Sequence, residues 1–277
     1  VSLEIMKNAF TFVCEEMGSV LKRTSYSPNI KERMDASCAI FDSKGRMLAQ
    51  AEHIPVHLGS MPLAVHFTRK YFEDDLKYGD QIVVNDPYHG GSHLNDITLI
   101  MPVFFQKEII GYTVNKAHHA DIGGKTPGSM PSDSRTLDEE GIVISPVRLL
   151  KEGKENKEIF DLIKENTRNP RERAGDLRAQ IAANITGGNR FLFYLEKYGR
   201  KEFNEFAEAI LDYSEKRVRK AISHIPNGIY ESEDQMDDDG ISEDPVKIAV
   251  KVEIKDEEIA FDFTGTDSQV AGNINSP

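Results

Sequence analysis

The chain has 277 residues, 39% of them hydrophobic and 29% charged, with a formal net charge of −12. That composition suits a globular chain with room for one large domain or two ordinary ones. The acidic balance argues against nucleic acid or an anionic membrane as the main partner.

No apolar run is long enough to span a bilayer, and no signal peptide pattern is present. The two cysteines, Cys14 and Cys38, cannot build a disulfide framework and read as buried free thiols in a reducing, cytoplasmic setting. The first residue is Val1 rather than methionine, so the true start is expected upstream.

Ser2 is placed to cap a first helix. Met6, Phe10, Val13, Met17 and Leu21 recur there at helical spacing, and the pattern ends near Arg23, before Ser27-Pro28. Ala36 to Phe41 and Arg46 to Gln50 read as paired strands around the turn Asp42-Ser43-Lys44-Gly45. His53 to Gly59 reads as a loop or short edge strand. Ser60 then caps a helix reaching about Phe72, with Pro62 in its first turn. Gln81 to Val84 is a short buried strand.

The next stretch, Asn85 to Gly124, holds four of the eight histidines. It reads NDPYHGGSHLND, an apolar run ITLIMPVFF, a polar turn QKE, and IIGYTVNKAHHADIGG. The β-branched and aromatic runs Ile97 to Phe105 and Ile109 to Lys116 predict an antiparallel hairpin. Such a hairpin sets the start of its first strand beside the end of its second. His93 and Asp96 therefore come close to His118, His119 and Asp121. Imidazoles and carboxylates converging on glycine-rich backbone are the donor set of a metal site suited to manganese, iron or zinc.

Adjacent residues on a strand face opposite ways, so only one of His118 and His119 can enter a given site, and His118 is taken as the inner one. His119 and Asp121 become partners of the ligands or contacts to substrate. The plainer reading of each motif, His93-Leu94-Asn95-Asp96 included, is a polar loop. That reading loses weight at His118-His119-Ala120-Asp121, because Gly123-Gly124 permits close backbone approach. His53 and His57 flank Pro55, where they could line the cleft, but the preferred reading of each is a satisfied loop histidine.

After Gly124, an irregular segment with Pro127, Pro131, Asp133 and Arg135 reads as a lid or binding loop. Glu158 to Glu165 is amphipathic, and Arg171 to Ile185 is helical. Gly187-Gly188-Asn189 interrupts that pattern as a loop, and Arg190 to Tyr198 resumes it. Glu202 to Ser223 is a further helix. Gly228 to Ser232, Val246 to Ile254 and Glu258 to Phe263 read as strands between acidic turns, and Asp237-Asp238-Asp239-Gly240 lacks the later glutamate of a calcium loop. The plan is α+β, with mostly antiparallel or mixed sheet and a central helical block. The expected regions are 1–155, 156–226 and 227–277. The sequence contains no GxxxxGK[ST], GxGxxG, CxxC or GxSxG.

RMDASCAIFD, HIPVHLGSMP, NDPYHGGSHLND, AHHADIGG, RAGDLRAQIAAN and FDFTGT with NINSP, in that order, resemble the hydantoinase B/5-oxoprolinase family. That group is similar to the metal-bearing subunit of acetone carboxylases. The resemblance implies a subunit about half of the family's usual length, so a fragment is expected, with a second half elsewhere. It implies an ATP-dependent cyclic amide hydrolase working in a hetero-oligomer with a hydantoinase A-like ATPase partner, where the ATP binds.

Carried over motif by motif, the resemblance gives Asp35, His93, Asp96 and His118 as ligands of a divalent metal (Mn, Zn or Fe). Asp35 enters by the resemblance alone. His119 or Asp121 would move the proton. A ketone carboxylase subunit with the same site, or a non-catalytic partner-binding scaffold, remain the alternatives.

Overall fold

The apolar stripe of the first helix finds its partner in a long helix from the second half of the chain. In the computed structural model, which describes residues 3–51 and 54–276, α1 (Leu3–Thr24) buries Met6, Phe10, Val13, Cys14, Met17 and Leu21. Ser2, its expected cap, and His53 lie outside the described residues. A short α2 (Pro28–Lys31) leads into β1 (Ala36–Asp42) and β2 (Met47–Ala51), the expected hairpin.

The helix α3 (Pro55–Phe72) begins five residues before the predicted start at Ser60. Pro55, with its φ already set, opens the helix, and Pro62 lies inside it. Next come β3 (Gln81–Val84), β4 (Asp96–Phe105), β5 (Glu108–His118) and the short α4 (Leu137–Glu140). Two strands with no clear sequence signal follow, β6 (Val147–Lys151) and β7 (Lys154–Glu155). The remaining elements are α5 (Lys157–Glu165), α6 (Pro170–Tyr198), α7 (Arg200–Ile222), β8 (Gly228–Met236), β9 (Val246–Lys255) and β10 (Glu258–Asp262).

The expected break at Gly187-Gly188-Asn189 is absent, and α6 runs through it. Those glycines serve packing. A Cβ on Gly187 would sit 2.3 Å from Met17 Sδ, and one on Gly188 would sit 2.5 Å from Met101 Cε. The glycines let α6 lie close to α1 and the sheet, and that contact outweighs their poor helix propensity.

The chain divides into two compact units, one of Val1–Met130 with Glu140–Ala207, the other of Pro131–Glu139 with Glu208–Pro277. In the first, among the described residues, the strands form a seven-stranded sheet in the order β2-β1-β5-β4-β3-β6-β7, every pairing antiparallel. In the second, β10-β9-β8 form a separate antiparallel sheet. There Asp239 accepts the amides of Ile241, Ser242 and Gly272, as a satisfied acidic turn does.

Both faces of the larger sheet are covered, which explains why β1 and β3 are buried throughout. On one face α3 packs Leu58, Met61, Ala64 and Val65 against Ala39, Phe41, Ile82, Ile100, Tyr112 and Val114. Each fully buried valine, isoleucine, methionine or phenylalanine among them contributes about 1.5–3 kcal/mol. α1 and α6 cover the other face, where Phe10, Phe191 and Phe203 meet with ring centroids 4.9–5.9 Å apart.

That second face also carries a buried polar seam. Asn115 Nδ2 donates to the Gln180 carbonyl and to Asn184 Oδ1, both at 2.8 Å. Gln180 Nε2 donates to the Ile97 carbonyl and to Asn115 Oδ1. Asn184 Nδ2 reaches the Leu99 carbonyl and Gln81 Oε1, and Gln81 Nε2 reaches the Ile181 carbonyl.

Candidate metal centre

Side chains alternate along a strand, so the sheet sorts the candidate residues by parity. On β4 and β5, Ile100, Tyr112 and Val114 pack under α3. Asp96, Lys116 and His118 share their parity and their face. Asn115 and His119 have the opposite parity and meet α6. Asp96 and His118 are direct cross-strand partners, and Ser37 of β1 pairs with Lys116. Asp35 stands just before β1, and its carbonyl accepts the His118 amide at 2.9 Å. The expected hairpin thus delivers Asp96 and His118 to one end of one face, and His118 is the inner of the two adjacent histidines.

Asp96 is the centre of the cluster and is fully buried. Ser92 Oγ donates to its Oδ2 at 2.6 Å, and His93 approaches the same oxygen through Nδ1 at 3.0 Å and its amide at 3.3 Å. His118 Nδ1 lies 2.7 Å from Oδ1. Burial alone would raise the Asp96 pKa, but the hydrogen bonds from His118, His57, His93 and Ser92 outweigh it and hold the carboxyl well below the usual range. The hydrogen bond to Asp96 raises the His93 pKa against the opposing effect of burial.

The donor atoms of His93, Asp96 and His118 all lie within 4.8 Å of one another, a spacing that one metal ion can bridge. His93 is the exposed member, with 54% of its side chain accessible, while 15% of His118 is. Asp35 sits one imidazole further out. Its Oδ1 is 3.7 Å from His57 Nε2, which is itself 3.6 Å from Asp96 Oδ1.

Sequence reasoning passed over His57 and Lys116. His57 is buried in the first turn of α3, with Nδ1 3.4 Å from Ser37 Oγ. Reading Pro55 as a helix opener would have aimed it at the strand ends. Lys116 shares the parity of His118, which was the available signal. Its Nζ donates to Ser60 Oγ at 2.5 Å, the Gly90 carbonyl at 3.1 Å and Ser92 Oγ at 3.3 Å, and burial pushes its pKa down to about 8. Lys116 thereby ties the loop carrying His93 to the sheet. Gly90 permits that loop to pass α3: its φ is +91°, and a Cβ there would lie 2.2 Å from the Ala64 amide nitrogen.

His119 and Asp121 are engaged elsewhere. His119 is buried on the α6 side, where its Nε2 donates to Gln180 Oε1 at 2.8 Å. The amide of Gln180 donates to Ile97 and Asn115, which leaves its oxygen as the acceptor for His119. Burial, then the nearby Arg173 guanidinium, push the His119 pKa down to about 3. Asp121 Oδ1 accepts the Gly123 and Arg168 amides, and its Oδ2 accepts the Gly128 amide and Arg168 Nη1 at 2.9 Å. Its carboxylate fastens a loop. The close approach at Gly123 is to the chain's own Asn166 carbonyl, 2.5 Å from where a Cβ would lie.

Comparison with known proteins identifies the family. Residues 1–277 match the family described as Hydantoinase B/oxoprolinase. An uncharacterized protein of Methanocaldococcus jannaschii is 46% identical over 279 residues, covering 100% of this chain and 49% of that protein. The 5-oxoprolinase of Saccharomyces cerevisiae is 38% identical over 292 residues, 100% of this chain and 22% of the enzyme.

Among solved structures, the ATP-dependent caprolactamase of Pseudomonas jessenii superposes with a TM-score of 0.87 at 30% identity, over 94% of this chain and 45% of that one. Acetone carboxylase superposes with a TM-score of 0.88 at 18% identity, over 95% and 37%, a likeness of fold alone. The chain spans half or less of the length of each of these proteins. With the family match running from residue 1 to residue 277, the chain belongs to the hydantoinase B/oxoprolinase family.

Proposed function

We propose that this chain is the metal-bearing part of an ATP-dependent cyclic amide hydrolase of the hydantoinase or 5-oxoprolinase type, acting with a hydantoinase A-like ATPase partner that binds the ATP. The observation that carries the reading is the convergence of His93, Asp96 and His118, within 4.8 Å of one another, at one end of the sheet. The donor chemistry fits a divalent ion of the manganese, zinc or iron kind: two imidazoles and a buried ionised carboxylate, with Asp35 as a further oxygen donor beyond His57. The 30% identity to an ATP-dependent caprolactamase favours amide hydrolysis over ketone carboxylation, for which the support is likeness of fold.

When bound, a divalent ion supplies Lewis acidity and makes water a stronger acid near neutral pH. The protein's own residues hold the rest. Asp96, buried and ionised, orients the His93 and His118 imidazoles through their Nδ1 atoms. Lys116 and Ser92 hold the loop that carries His93, the member open to an incoming ring amide. His57, between the Asp35 and Asp96 carboxylates, is the side chain best placed to hold a proton at Nε2. We assign His119 and Asp121 to positioning: His119 anchors the end of β5 to α6, and Asp121 fastens the following loop.

The test is elemental analysis of the purified chain beside His93→Ala and His118→Ala. About one divalent ion per chain is expected, lost in both variants, with ring-amide hydrolysis appearing only when an ATPase partner and ATP are added. A folded wild-type chain that takes up no manganese, zinc or iron would overturn the ligand assignment and leave the scaffold reading.

A further inference from the structure

Away from the metal centre, a second chain of hydrogen bonds ends at the surface. Asp86 Oδ2 accepts from His89 Nδ1 at 2.7 Å and from Ser145 Oγ at 2.9 Å, while its Oδ1 accepts the Tyr88 amide at 3.0 Å. Burial opposes ionisation of Asp86, and those hydrogen bonds outweigh it and keep its pKa below the usual carboxylate value. A carboxylate only accepts, so His89 Nδ1 carries a proton, and in the neutral imidazole Nε2 is then the nitrogen that presents a lone pair. Tyr71 Oη lies 2.8 Å from that nitrogen.

The imidazole is clamped edge-on by two rings one turn apart on α3, Phe67 at 4.8 Å and Tyr71 at 5.3 Å between centroids. Tyr71 itself is 50% exposed. An ionised acid, an oriented histidine and an accessible hydroxyl make up the arrangement that activates an oxygen nucleophile.

We propose that Asp86, His89 and Tyr71 form a surface acyl-acceptor site, in which the Tyr71 phenol attacks activated acyl esters. The bond between Tyr71 Oη and the acyl carbon forms, and the phenolic proton passes to His89 Nε2. The bond from the acyl carbon to the leaving oxygen breaks, and the leaving aryloxide departs with the electron pair. The product is O-acyl-Tyr71, with the imidazolium held by Asp86. A neutral ester is the matching electrophile, because the carboxylate behind His89 and the chain's net charge of −12 disfavour anionic phosphoryl donors. The site stands independently of the metal reading.

The test treats the full chain with p-nitrophenyl acetate and locates acetyl groups by peptide mass mapping. Tyr78 and Tyr88 serve as internal controls: they are 76% and 64% exposed. Tyr71 is expected to acetylate at least about tenfold faster than either, and His89→Gln should bring it down to their rate. Labelling of Tyr71 no faster than of Tyr78 and Tyr88 in the wild-type chain, or an unchanged Tyr71 rate in folded His89→Gln, overturns the proposal. Should His89→Gln fail to fold, the wild-type comparison among the three tyrosines decides alone.

Discussion

His119 shows how one side chain sets a pH dependence. Its folded-state pKa, about 3, lies below the ordinary value of 6.5. Below pH 6.5 the unfolded chain takes up a proton that the folded chain refuses, so this residue costs stability as the pH falls from 6.5 towards 3. His93, with a raised pKa, acts in the opposite sense and loses its contribution as the pH rises. Comparing wild type with His119→Asn isolates the first effect. In urea titrations of the metal-free chain, wild type should lose about 2 kcal/mol more than the variant between pH 6.5 and 5. Equal slopes would remove His119 from the account.

At this scale the site was partly legible. The alternation of side chains on β5 meant that only one of His118 and His119 could face the site, and it is the pairing of His118 with Asp96 in the folded sheet that shows which. The same reasoning could not supply Asp35, whose neighbours come from β5 and α3, far away in the chain. It passed over His57 because the helix start was read five residues late.

The elements follow a similar pattern. Both strands of the β4–β5 hairpin were readable from their apolar runs and short polar turn, since hairpin signals are local. The unbroken α6 was not, because its glycines answer to Met17 on another helix and Met101 on a strand. The short β6 and β7 exist through pairing with β3 and with each other rather than through a run of their own. Gly187→Ala tests the packing explanation. In a free helix alanine would be better by about 1 kcal/mol. Here its methyl group would meet buried Met17 at an overpacking cost of about 1–3 kcal/mol, so chemical denaturation should show a net loss of up to about 2 kcal/mol. A gain would mean that α1 yields easily and that the glycines are not packing residues.

For the whole molecule, the α+β plan and the antiparallel sheet were legible from the order of periodic segments. The division into two units was not, because one of them gathers Pro131–Glu139 with Glu208–Pro277 from distant parts of the chain. Among the described residues no helix is long and apolar enough to cross a membrane. A ligand that binds only the folded chain raises its melting temperature by mass action. Chelation should therefore lower the melting temperature of a metal-loaded sample by several degrees, and Asp96→Asn should remove most of that difference. A melting temperature indifferent to both chelator and added metal would count against a resident ion.

The amide seam beneath α6 decides which parts of the first unit are free to move. Sliding α6 by one turn, about 5.4 Å, would part Gln180 and Asn184 from every acceptor they now reach. Each buried amide left stranded costs about 1–3 kcal/mol. The helix therefore has a single seat and acts as the stator of this unit. Freedom to shift without stranding these amides is left to the opposite side of the sheet, to α3 and the loop it braces. The long helix would then register such a motion as no displacement at all.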